Sequence, residues 1–407
     1  MDEIGSVLHY SSRPLSAMPP PTAVSFVGDR GEFRGLVERG AGLELVTFGF
    51  YRFWLATDIR RHLWSHTSVG GDAPEYTGRG RELLIGFLFA LAILGPIYLA
   101  YSLIGIEAEH YKAFASFPLL LFFYLFGQFA IYRARRYRLT RTVWRGVRFW
   151  MDGSGWAYAM RAAGWALLAA ITLGAALPWR EAALERYKMR HCHYGDLRGR
   201  FEGRGWELFK RGWKLWLAAL LPLILGIVAT LLGRFLPPGG GVITRLSLTI
   251  WFFALPFIYG AFKAIEWRWW ICGVRFGEVS FESDLSTDEL YGLYWKVIGW
   301  FLLIFVIFVV YMLTCSWWIF GFSDMSHIAD RLHASTALTV AAAVGYLGFI
   351  LALNIALRVY LQRDVWARVA GSTTVFNLEA VENVAVKGEL ATALGEGLAG
   401  GLDVVGF

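Results

Sequence analysis

Residues 47–83, TFGFYRFWLATDIRRHLWSHTSVGGDAPEYTGRGREL, are matched without a gap by residues 172–208, TLGAALPWREAALERYKMRHCHYGDLRGRFEGRGWEL, at an offset of 125. The stretches agree at eleven positions: Thr47/Thr172, Gly49/Gly174, Trp54/Trp179, Arg61/Arg186, His66/His191, Gly70/Gly195, Gly78/Gly203, Arg79/Arg204, Gly80/Gly205, Glu82/Glu207 and Leu83/Leu208. Self-similarity at a fixed offset marks a duplicated unit. Further along, Phe262-Lys263-Ala264-Ile265-Glu266-Trp267 echoes Tyr132-Arg133-Ala134-Arg135-Arg136-Tyr137. The expected organisation is therefore one copy over 31–154, a second over 155–285, a partial third with one hairpin over 286–370, and a cytoplasmic tail over 371–407.

The copies are built around apolar runs. Of 407 residues 56% are hydrophobic and only 17% charged, with a mean hydropathy of +0.46, whereas soluble domains carry about 25% charged residues. Runs at 83–106, 113–131, 215–232, 246–262, 297–322 and 336–357 are long enough to cross a hydrocarbon layer, which takes about 17–25 helical residues. Segments 36–54 and 162–177 are marginal, the first because it carries Glu38, Arg39 and Glu44. The first 30 residues combine an acidic start with Pro14, Pro19, Pro20 and Pro21 and lack the features of a cleaved signal, so they read as a disordered cytoplasmic tail. Three cysteines form neither a disulfide framework nor a zinc pattern.

Charge placement decides what the marginal segments do. Lys and Arg in short loops favour the cytoplasmic side. If neither marginal segment crosses, the loops carry 30 basic residues on one side against 4 on the other; if both cross, the better orientation gives 19 against 15. An odd number of crossings per copy would have inverted one copy relative to the other, as in many transporters. The 30-to-4 distribution instead predicts an all-α polytopic protein of about six transmembrane helices in three hairpins. Segments 36–54 and 162–177 become re-entrant or interfacial helices, small β-hairpins occupy the cytoplasmic loops, and both termini are cytoplasmic. The net charge of +7 then belongs to the membrane surface, with anionic lipid headgroups as the partner and no nucleic acid.

Several motifs invite sharper readings. Trp54 leads into Arg60, Arg61 and Trp64, and Trp179 into Arg186, with Arg204 further on; aromatic and basic residues so placed anchor a membrane interface or hold a lipid headgroup. Gly78-x-Gly80 and Gly203-x-Gly205 lack both the third glycine and the βαβ setting of a dinucleotide loop, so they read as turns of a hairpin feeding a membrane helix. Glu82 and Glu207 fall where a helix starts and suit capping. His62/His66 and His191/His193 have no third ligand nearby in sequence, so no metal is expected. Pro96, Pro118, Pro222 and Pro256 fall one in each of the first four runs. Gln128, Thr314, Ser316 and Asn354 are the strong polar candidates for a mid-membrane site, unless they only bond helix to helix. No nucleophile with a base can be named, so neither an enzyme nor a cofactor is expected.

The series Thr47-x-Gly49-x-Tyr51-x-Phe53-Trp54, Arg60-Arg61-x-x-Trp64 and Tyr76-x-Gly78-x-Gly80-x-Glu82-Leu83, with the tail Gly395-Glu396-Gly397-Leu398-Ala399, resembles the YjgN family of bacterial inner-membrane proteins over about residues 31–407. The resemblance implies a multipass inner-membrane protein of unassigned activity, and it carries over no catalytic or ligand residue. The chain departs from the pattern at Phe281-Glu282-Ser283-Asp284, which lacks Gly-x-Gly, and at Gly400, where an acidic residue is frequent. Two functions remain open at this level: transport of a small solute or lipid, motivated by the duplication and the proline-bearing hairpins, and a non-catalytic scaffold for envelope assembly, motivated by the basic loops.

Overall fold

A computed structural model describes residues 20–107, 112–232, 240–320, 336–388 and 390–391; the motif at 395–399 and Gly400 lie outside them. After strand β1 (Thr22–Phe26), the elements come in a recurring order. A short helical hairpin, α1 (Arg30–Val46) and α2 (Arg52–Ser65), leads to β2 (Thr67–Val69) and β3 (Glu75–Tyr76). A long hairpin, α3 (Gly80–Glu107) and α4 (Lys112–Thr140), leads to β4 (Thr142–Trp144) and β5 (Val147–Met151). The same order follows in α5 (Gly155–Ile171), α6 (Leu177–Arg190), β6 (Cys192–Tyr194), β7 (Leu197–Phe201), α7 (Gly205–Leu232), α8 (Gly240–Gly273), β8 (Val274–Phe276) and β9 (Val279–Ser283). The chain then runs through α9 (Thr287–Phe320), α10 (Thr336–Leu357), a π-helical segment (Arg358–Asp364), α11 (Val365–Gly371), β10 (Thr373–Phe376) and a 3-10 turn (Leu378–Val381).

The loops do not hold separate small hairpins. All ten strands join one antiparallel sheet in the order β2-β1-β10-β9-β8-β7-β6-β5-β4-β3. Each hairpin edge pairs with the next, Phe149 opposite Tyr194 and Arg200 opposite Arg275, so few edges are left to attract another chain. Among the described residues the end strands β2 and β3 are linked by the turn at Gly70-Gly71 (φ 61° and 88°) without pairing with each other, so the sheet curls into an open, incomplete ring. Arg145-Gly146 turns β4 into β5 with the same left-handed backbone, the geometry that matches strand twist in a two-residue turn. Val24, Trp144, Val147, Tyr194, Val279 and Val375 share one apolar core inside the curl, into which Val381 and Val384 pack as well. Residues 22–26, assigned by the sequence to a disordered tail, form β1 and pair with both β2 and β10. Near-terminal strands β1 and β10 are thus neighbours, on the side of the molecule where every interhelical hairpin gathers.

The marginal segments reverse direction in their middles. Thr47 Oγ1 donates to Leu43 O and accepts from Tyr51 N, and Phe48 and Gly49 turn at φ 51° and 87°. In the second segment Thr172 Oγ1 donates to Leu168 O and accepts from Ala176 N, with Leu173 and Gly174 at 49° and 86°. These are the matched threonines and glycines. The tips are apolar and exposed, Phe48 at 94% and Leu173 at 65%. Bases of the short hairpins are polar: Asp29 caps α1 by accepting from Glu32 N at 2.8 Å, a bond that holds its carboxyl below the usual range.

Among the described residues, five helices are long and apolar enough to cross a membrane, over Gly80–Ser102, Gly205–Leu231, Thr244–Gly273, Thr287–Trp318 and Thr336–Gly371, and they expose most of their apolar side chains. The chain is a helical membrane protein. The run at 113–131 falls in α4, which is not among the five. Helices continue through Pro96, Pro118, Pro222 and Pro256 without a break.

Candidate functional site

Where α2, α8 and α11 reach the ring, they line a half-open chamber of about 360 Å³. Trp64 comes from α2, Trp267 and Trp270 from α8, and Trp366 from α11; Val24 and Phe281 line it from the sheet. Trp64 stacks on Trp366 with ring centroids 4.9 Å apart and planes at 17°. The polar atoms of this wall are turned away or satisfied. Trp366 Nε1 donates to Thr67 Oγ1 (2.9 Å), whose hydroxyl donates to Leu63 O, while Trp64 Nε1 donates to Thr142 Oγ1 and Thr373 Oγ1 to Val369 O. What remains is an aromatic pocket that suits an apolar group; it has the apolar lining of a small-molecule site without the few convergent polar groups that usually orient a ligand.

On the other face of α11 lies a pocket of about 200 Å³ lined by Arg30, Lys296, Arg363, Asp364 and Arg368. Asp364 takes Arg30 at 2.5 Å and Arg363 at 2.6 Å, and Arg368 pairs with Glu289 at 3.3 Å. Four cations around one lining carboxylate leave the pocket electropositive and suited to an anion. Its position follows from the π-helical segment 358–364, which widens the end of the last long helix; such segments are frequent at functional sites. Arg358, at its start, reaches Glu44 of α1 at 2.9 Å, tying it to the first short hairpin.

Of the candidate site residues named from the sequence, Trp64 alone lines the chamber; Trp267 and Phe281, noted there only for the repeat pattern, line it too. Arg60 donates to Tyr76 Oη (3.1 Å) and Arg61 to Gly78 O (2.7 Å), so both fasten α2 to the approach to α3. Trp54 stacks on Tyr51, and Trp179 packs against Trp206 and Phe209. Arg186 is exposed, and Arg204 is exposed with its carbonyl accepting from Trp269 Nε1. Thr314 bonds Val310 O within its own helix, Gln128 is half-buried on α4, and Asn354 Oδ1 is buried without a partner on α10. The three do not converge. In the α9–α10 hairpin Tyr311 meets Ala341 and Phe301 meets Phe349, so Thr314 and Asn354 lie toward opposite ends. Glu82 lies in the first turn of α3, where it also accepts from Tyr137 Oη and pairs with Arg141, joining α3 to the end of α4.

The histidines separate into two kinds. His191 Nδ1 lies 2.6 Å from Asp152 Oδ1, and His193 stacks on Trp150. His62 and His66 stack on each other, and Glu32 of α1 comes up beside them as a third potential ligand. Glu32 and the cationic pocket were missed in the sequence because their members come from distant helices; the Trp267-x-x-Trp270 spacing was the available signal for the chamber wall.

Comparison with curated proteins and with solved structures gives no match. A family model described as a bacterial protein of unknown function (DUF898) matches residues 21–264, from β1 into α8. With more than half its length covered, the chain belongs to this family, the YjgN family of bacterial proteins of unknown function.

Proposed function

We propose that the chain is a duplicated, multipass inner-membrane protein that binds and moves a small amphipathic solute or lipid. The β ring, both termini and the large basic loops lie on the cytoplasmic side in this reading. Support for the orientation comes from the gathering of all interhelical hairpins into one sheet together with the 30-to-4 charge distribution. Two successive runs of elements in the same order support the duplication. The observation that carries the binding function is the tryptophan chamber, with a cationic pocket across α11 to draw in an anionic headgroup.

Native mass spectrometry of the full-length protein released from its membrane tests this. The expected result is a retained amphiphile of defined mass, lost when Val369→Phe fills the chamber. A wild-type chain with no retained mass, or a Val369→Phe chain that keeps the same ligand, would overturn the assignment. The broad ring favours a second reading, a scaffold for envelope assembly, and a ligand-free chain carrying a stoichiometric protein partner on the ring would support it.

A further inference from the structure

We infer that Glu32, His62 and His66 form a binding site for a divalent transition-metal ion of the zinc class, with one coordination position left to water. One ligand atom from each lies within 4.8 Å of the others. Tetrahedral coordination at about 2.0–2.1 Å needs ligand atoms about 3.4 Å apart, so the widest pair has to close by up to about 1.4 Å. Glu32, with 63% of its side chain exposed, is free to move that far. The two histidines, one helical turn apart on α2, already share a face.

Three features go beyond proximity. His66 Nδ1 lies 2.7 Å from His62 O; an N–H donated there fixes the tautomer and leaves the Nε2 lone pair for a metal, the usual backing of a ligating histidine. The His62 side chain is only 5% exposed, yet Nε2 has no hydrogen-bond partner and Nδ1 is 3.9 Å from Glu32 Oε1, too far for a hydrogen bond. Leaving a buried imidazole nitrogen without a partner is unfavourable, and a metal bound at one nitrogen supplies a missing partner. Both histidines stand at the carbonyl end of α2, where the helix dipole favours a cation, and Phe33 packs 5.4 Å from the His62 ring to keep water away. Arg363, the competing cation nearby, is paired with Asp364 and donates to Gly28 O.

The second copy shows the contrast. His191 matches His66, but Tyr187 stands at the position of His62 and Ala157 at that of Glu32, and His191 is paired with Asp152. A histidine ending the helix is common to both copies; the other two ligands occur in the first. Two imidazoles with one carboxylate select Zn²⁺, Co²⁺, Ni²⁺ or Cu²⁺ over Mg²⁺ or Ca²⁺.

The test uses the untagged full-length protein in detergent, stripped with a chelator and titrated with Co²⁺ as a visible probe and with Zn²⁺ by calorimetry. One ion per chain is expected, with Co²⁺ absorption bands that Zn²⁺ abolishes. Glu32→Gln and His66→Gln each lower affinity by roughly tenfold or more, while unchanged thermal unfolding of the metal-free forms shows that the fold is kept. Asp152→Asn leaves binding intact. Absence of stoichiometric binding in the wild type, survival of binding in both ligand variants, or its loss in Asp152→Asn would each overturn the site.

Discussion

Gly80 stands directly on the backbone of Trp54: a Cβ added to it would lie 2.7 Å from Trp54 Cα, and one added to Gly205 would lie 2.8 Å from Trp179 Cα. Both pairs belong to the positions matched at the 125-residue offset. Each locks the first turn of a long helix onto the first turn of a short one, so the short hairpin sets where the long hairpin starts. Gly80→Ala and Gly205→Ala are therefore expected to destabilise by about 1–3 kcal/mol each, the range for overpacking a close contact. Gly95→Ala, whose Cβ meets nothing within 4 Å in the same helix as Gly80, serves as the control. Thermal unfolding in detergent should lower the midpoint for the first two and leave the third unchanged; equal midpoints for all three would refute the packing argument.

Glu185 is buried between Arg135 of α4 and Lys188 of its own helix, with Arg135 at 2.9 Å. Burial alone would raise its carboxyl, but Arg135 and Lys188 outweigh burial and hold it down at about 2. An unfolded glutamate titrates near 4.3. Since the folded value is the lower one, the pair stabilises the protein fully above that pH, and the contribution drains away as pH falls from about 4.3 to about 2. Glu185→Gln, which strands a buried guanidinium, should cost about 3–5 kcal/mol at neutral pH and flatten the acid dependence over that window. Melting curves of both forms from pH 6 to pH 2 check it; parallel pH profiles would show that the pair does not carry the acid response.

These two sites divide what was legible in the sequence from what was not. The turns at Thr47-Phe48-Gly49 and Thr172-Leu173-Gly174 depend on local backbone, so the residues that make them recur as matched letters. The ring does not depend on local backbone. Its strands are two to five residues long, too short for alternation to show, and within it Thr22 pairs with Val375, far away in the chain. Charge counting predicted that the loops share a side, yet nothing in one sequence said that they pair. Glu32 went unnoticed beside His62 for the same reason: a contact between helices has no periodicity to reveal it. The chamber was half visible, because Trp64 drew attention as an interfacial residue while its stacking partner Trp366 did not.

Cys192 illustrates how the ring seals its base. It begins β6, is 1% exposed, and burial pushes its thiol up to about 12. The thiolate, which is the reacting species, is then scarce at neutral pH. Maleimide at pH 7.5 should leave Cys192 unmodified in the folded protein and label it completely once the chain is denatured, as peptide mass mapping would report. Rapid labelling under native conditions would mean that the β5–β6 side of the ring opens.

The exposed apolar tips of the short hairpins make the membrane arrangement testable at single residues. If the ring faces the cytoplasm, Arg198 in β7 is reachable from that side, whereas Phe48 and Leu173 at the tips sit among acyl chains. Each hairpin spans at most 17 helical residues, about 25 Å, and turns back before completing a crossing. Spin labels at Phe48→Cys and Leu173→Cys should be more accessible to oxygen than to a water-soluble nickel chelate, and Arg198→Cys the reverse. In inside-out vesicles an impermeant maleimide should reach Arg198→Cys, and in intact spheroplasts it should not. Labelling of either tip from the periplasmic side would mean that the short hairpins reach across the whole bilayer and are not buried among acyl chains; because each returns to its starting side, the common orientation of the two copies would stand.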